Sequence, residues 1–156
     1  MATIQAKLST QPHAGHKFIE GTLDKPLLQF DLNCELRRMQ EEESWKQPAG
    51  RSSKTLVKHQ DMRIVLIAMK ANTRMHEHTA AARISVHTLN GHVRLHLPEH
   101  VAELPAGHPL ALDACVAHDV EAVEDSAFLL TLSWPPEMKA AESKTHRKKT
   151  VRGRRK

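Results

Sequence analysis

A chain of 156 residues is long enough for one domain with appendages, and 40% apolar residues are enough for one core. With no Tyr and only Phe18, Phe30, Phe128, Trp45 and Trp134 as aromatics, that core must be mostly Leu, Ile, Val and Met. The net charge of +5 is split: residues 139–156 carry nine Lys/Arg and one Glu, net +8, which leaves residues 1–138 at −3 and excludes a basic globular domain.

Residues 1–30 are polar, broken by Pro12, Gly15, Gly21 and Pro26, and read as a mostly disordered segment. Residues 31–50 read as a short helix and linker. Leu32, Leu36 and Met39 recur at helical spacing from 31 to 46, and Asp31 or Asn33 can cap the first amides. Glu41, Glu42 and Glu43 form a solvated face, and Pro48-Ala49-Gly50 stops the pattern.

From Thr55 the pattern changes to strands. Thr55–Lys58 is short. Met62–Met69 is almost continuously apolar and predicts a strand buried on both faces. Arg83–Leu89 and His92–Leu97 flank Asn90-Gly91, the signature of a type I′ hairpin. His100–Leu104, Leu110–Asp113, His118–Val123 and Ala127–Trp134 follow, separated by turn residues. Short strands at this spacing predict a sandwich or barrel rather than βαβ units. Residues 54–136 form this domain. Pro135-Pro136 ends it, and residues 137–156 are a basic tail without apolar residues enough for a core.

The chemistry-bearing segment is Met75-His76-Glu77-His78. Side chains alternate along a strand, so His76 and His78 are expected on one face, with Glu77 on the other. His118 brings a third imidazole from a separate strand. Here the chain resembles the small single-domain cupins of the RmlC-like cupin superfamily. His76, Glu77, His78 and Gly91 match the H-x-H and closing Gly of their first motif. Gly107 and His118, with Asp113-Ala114-Cys115 between, keep the spacing of the second. The resemblance covers residues 54–134. It departs at Ile84, where the family's metal-binding Glu stands, at Lys70 for an opening Gly, and at Asp113, Cys115 and Ala122 for Pro, Gly and Asn.

The resemblance implies an all-β fold, a single small jelly-roll barrel. His76, His78 and His118 would be the metal ligands, holding one divalent transition ion (Zn, Fe, Cu, Ni or Mn). Three neutral imidazoles suit such ions, and the missing carboxylate lowers the expected affinity. Ile84, Val86 and Thr88 share one strand face and are expected to line a ligand pocket. His87 is out of phase and reads as surface; His92 is a candidate rim residue; Arg83 suits a strand-edge salt bridge; Cys115 reads as a small buried hydrophobe. No residue is assignable as catalytic.

The leading functional expectation is a cupin-type ligand-binding module with an unidentified small-molecule ligand. The alternatives are a metal-dependent cupin enzyme of dioxygenase or isomerase type, and an interaction protein docking through its tail. The tail is expected to attract polyanions weakly and in a salt-dependent way, and its lack of interleaved aromatics argues against base stacking. A homodimer is compatible with the family. Cys34 and Cys115 form no C-x-x-C pair, and there is no N-terminal apolar signal segment or run of ~20 apolar residues. A cytoplasmic location without membrane attachment is the corresponding expectation.

Overall fold

The computed structural model describes residues 27–48 and 50–134. Most of the 1–30 segment and the 137–156 tail lie outside them. Leu28 and Phe30, at the start of the described residues, pack against a core.

Helix α1 spans Leu32–Glu41, and the Asp31 side chain accepts from the Cys34 amide at 3.0 Å. Met39 is fully buried, with Leu32 and Leu36 beside it, as the stripe requires. The helix does not run on to residue 46. Glu42 takes extended backbone (ψ 149°), and a separate turn, α2, follows at Glu43–Lys46. The break is anchored: the Glu42 carboxylate accepts from Ser52 at 2.5 Å and from Ser44 at 3.3 Å. Glu35 also falls on the buried face, 3% exposed. Lys54 Nζ at 2.5 Å and Arg38 at 3.4 Å neutralise it and pin the helix to the first strand.

Nine strands follow among the described residues: β1 Arg51–Lys58, β2 Met62–Met69, β3 Arg74–His78, β4 Arg83–Asn90, β5 His92–Leu97, β6 His100–Pro105, β7 Pro109–Leu112, β8 His118–Ala122 and β9 Ser126–Ser133. They form two antiparallel sheets, β1-β2-β9-β4-β7 and β3-β8-β5-β6. No ladder joins the sheets among these residues, so the jelly-roll barrel is not closed.

The main core lies between the sheets. Ile67, Met69, Val86, Val93, Leu95, Val120, Ala122 and Phe128 fill it. A second core lies on the outer face of the larger sheet, where Leu56, Val57, Leu66 and Ala68 meet Met39. Odd residues of β2 therefore face the first core and even ones the second. This double covering explains an apolar run that shows no alternation.

Asn90-Gly91 does not close a hairpin. β4 pairs with β7 and β9, whereas β5 pairs with β6 and β8, so the dipeptide carries the chain from one sheet to the other. Only Gly91 has positive φ (+76°), so a type I′ turn, which needs two such residues, is not formed.

The connections define two ends. At the Gly91 end, Thr88, Phe128, Val93, Ala122 and Met69 are all at most 2% exposed and seal the core. At the other end β3 finishes and β8 begins. There the inward-facing Val65, Leu130, Leu132 and Leu112 are only partly buried. The barrel is open at this end.

Candidate functional site

β3 pairs with β8 as Met75↔Val120 and His78↔His118, with a register shift between. Three steps along β3 match two along β8, which is a β-bulge: one extra residue enters one strand. The consequence reverses an expectation. Met75 packs against the main core, so His76 lies on the outer face, and the bulge then returns His78 to the inward phase. His118 shares that phase with Val120 and Ala122. The His78 and His118 rings meet with centroids 4.4 Å apart, tilted by 57°. His76 instead lies close enough to Asp119, on the other face, to favour that carboxylate's charged form.

His118 is 4% exposed and His78 is solvent-exposed, so the pair runs from rim to interior. His78 Nδ1 lies 2.9 Å from the His76 carbonyl, and His118 Nδ1 lies 2.9 Å from the Val116 carbonyl. With Nδ1–H donating to a carbonyl, the neutral imidazole has Nε2 as its acceptor. Two such nitrogens are fewer than the three protein ligands of an open catalytic zinc site. Among the described residues no group of three or more His, Cys, Asp or Glu side chains is arranged to hold a metal ion. The donors present therefore do not fit the expected three-histidine centre, and Ile84 offers no carboxylate in their place.

Ile84, Val86 and Thr88 do share the inner face of β4, at 5%, 2% and 0% exposure. Ile84 and Val86 are core side chains, and Thr88 sits at the sealed end against Phe128. Only Ile84, opposite Leu132, is at the open end.

Neither protein-family models nor curated proteins give a match. Solved structures do. A cupin superfamily protein from Desulfitobacterium hafniense DCB-2 superposes with TM-score 0.57 at 14% identity, over 77% of this chain and 100% of its own. A cupin-2 domain protein from Shewanella frigidimarina gives TM-score 0.55 at 14% identity, over 67% and 94%. A conserved Streptococcus pyogenes protein of unknown function gives 0.54 at 22% identity, over 57% and 78%. The fold is that of the cupins.

The segment from Gly107 to His118, which resembles the second cupin motif, contains two left-handed residues. Gly107 has φ +83° and Cys115 φ +63°, so the chain keeps the left-handed turn where the motif carries Gly. Cys115 is exposed rather than a buried hydrophobe, and its N–H donates to the Ala80 carbonyl at 2.8 Å. Arg83 pairs with Asp113 at 3.0 Å, and His87 is exposed, both as expected. Glu77 is exposed within the bulged segment. His92 is no rim residue: it lies at the Gly91 end, 2.7 Å from Glu103. No described helix is long and apolar enough to cross a membrane.

The outer face of the smaller sheet carries a charge ladder that strand alternation alone does not reveal. Arg74 binds Asp119 at 2.5 Å; His96 reaches Glu121 at 2.8 Å; Arg94 joins Glu103 at 2.7 Å and Glu121 at 3.4 Å. The Arg74 hydrogen bond, against the opposing effect of burial, holds Asp119 below its ordinary range. Glu121 and Glu103 are lowered likewise, chiefly by hydrogen bonds from His96 and Arg94. A carboxylate whose folded pKa is depressed stabilises the fold above its unfolded value, and that gain is lost as pH falls through the folded value. Thermal stability should therefore hold down to about pH 5 and decline below about pH 4. Arg74→Met should lower the melting temperature at neutral pH and make the acid decline shallower, because the Asp119 carboxylate loses the partner that depresses its folded pKa. Superimposable melting-temperature profiles between pH 2 and 7 would show that the Arg74–Asp119 pair contributes nothing.

The sequence reading also missed Arg63. The β2–β9 ladder runs without a shift and pairs Arg63 with Leu132, so both share the inward face. The Arg63 guanidinium stands 5.9 Å from the Trp134 ring centroid, within cation–π range.

Proposed function

We propose that this cupin domain is a ligand-binding module that takes a small organic molecule at the open end of its barrel. The carrying observation is the contrast between its ends. One is sealed by fully buried side chains; the other leaves Val65, Leu112, Leu130 and Leu132 partly open beside the His78–His118 pair. An apolar concavity with a few convergent polar groups is the usual form of a small-molecule site. The two Nε2 atoms can accept hydrogen bonds from a ligand hydroxyl or amide and so orient it.

The metal-dependent enzyme reading is less well supported, because the described residues assemble two imidazoles rather than a ligand set. A first-row ion bound here would have two protein ligands and water elsewhere, and weak affinity follows. Docking through the basic tail rests on the charge split alone.

The barrel reading is tested with a neutral probe. Adding 1-hexanol to the isotope-labelled full chain should shift amide signals of Val65, Ile84, Leu132, His78 and His118. It should leave Val93 and Phe128 unmoved. Ile84→Phe, which fills the mouth, should suppress the shifts. Shifts confined to the helix-covered face, or none at all, would overturn the reading.

A further inference from the structure

We infer that the open end of the barrel is an anion site, built on Lys58, Arg63 and Trp134, that selects a carboxylate or phosphate head attached to an apolar body. This rests on the ligand-binding reading and adds the chemical class of the ligand. Lys58 stands directly opposite Arg63 across the β1–β2 ladder. Side chains of directly paired residues lie on the same face, and like charges placed so destabilise a sheet. The irregularity between Thr55 and Val57 creates this pairing: it drops one residue of β1 out of register and moves Lys58 into the inward phase.

Among the described residues no ion pair neutralises Lys58 or Arg63. At this end the Asp61 carboxylate binds His59 at 2.6 Å and Asp113 takes Arg83 at 3.0 Å. No carboxylate among the described residues bridges Lys58 or Arg63. Arg63 lies over the Trp134 ring, and a guanidinium stacked in this way can still take a planar, bidentate partner along its edge. The same cross-strand row continues Arg63↔Leu132↔Ile84↔Leu112, so the two cations adjoin an apolar strip. A single anion between Lys58 and Arg63 would remove their repulsion, and a short hydrocarbon attached to it would lie along Leu132 and Ile84.

The test uses the full chain and four six-carbon probes: hexanoate, hexyl phosphate, hexylamine and 1-hexanol. The readout is the indole N–H resonance of Trp134, with Trp45 as internal reference. Hexanoate and hexyl phosphate should shift Trp134, each about tenfold more tightly than hexylamine, and their relative affinities tell which head the site prefers. Arg63→Gln should weaken both anions by about tenfold. Lys58→Glu separates ligand recognition from structure. By pairing with Arg63 across the ladder it should raise the melting temperature while abolishing the preference for anions.

Hexylamine binding as tightly as hexanoate, or anion affinity unchanged in both variants, would overturn the anion assignment. If 1-hexanol still mapped to the mouth, the barrel reading would survive that result. Absence of any probe at the mouth would overturn both.

Discussion

Gly91→Ala should cost roughly 3 kcal/mol or more of folding stability, from a left-handed backbone penalty of about 1–2 kcal/mol and a steric collision added to it. Gly91 has φ +76°, and a Cβ there would meet the Ser126 side-chain oxygen, the Asp125 carbonyl at 2.5 Å and Ser126 Cα at 2.8 Å. Two of these are backbone atoms. The third is held in place: Ser126 Oγ accepts from the His92 amide at 3.0 Å and reaches the Glu124 carbonyl at 2.7 Å. The methyl group therefore pushes apart the corner where the chain changes sheets. The control is Gly107→Ala, where φ is +83° but the added carbon meets nothing within 4 Å. It should lose only the backbone term, about 1 kcal/mol. Melting temperatures should fall by about 10–20 °C for Gly91→Ala and by several degrees for Gly107→Ala. Equal losses would mean that the collision is relieved at no cost.

Phe128→Ala should destabilise the protein by about 3–5 kcal/mol, the range for a large aromatic removed from a packed core. Phe128 is 1% exposed and lies between Ile67 and Thr88 in the adjacent strands. The Thr88 hydroxyl, fully buried beside it, has no hydrogen-bond partner among the described residues, so the void would border an unsatisfied polar group as well as apolar ones. Leu132→Ala at the open end removes a half-buried side chain and should cost less, about 1–2 kcal/mol. Urea titrations of the two variants give the comparison. A Leu132→Ala loss as large as that of Phe128→Ala would mean that the open end is packed as tightly as the sealed one, contrary to the ligand-binding proposal.

Local patterns in the chain predict nearly every strand. Met62–Met69 and His92–Leu97 stand where expected, because apolar runs between turn residues are a property of a few neighbouring positions. Register is different, since it depends on what a strand meets. The H-x-H spacing predicts one face for His76 and His78 only if β3 is regular, and the bulge against β8 is invisible without β8. Asn90-Gly91 marks positive φ, which the structure uses once, at a corner rather than in a hairpin. Arg63 sits near the start of an apolar run, and a cation in the inward phase of that run is the only local cue to its role. Glu35 is polar and so falls outside the apolar stripe of α1, although it neighbours Leu36 and lies one turn before Met39.

Strand β2 has one further consequence. Its odd side chains belong to the core between the sheets and its even ones to the core beneath α1. Detaching the helix would strip the even side chains of β2 of their cover, so α1 is expected to unfold together with the barrel. Amide protons of α1 and of the larger sheet should then exchange with solvent through one shared opening event.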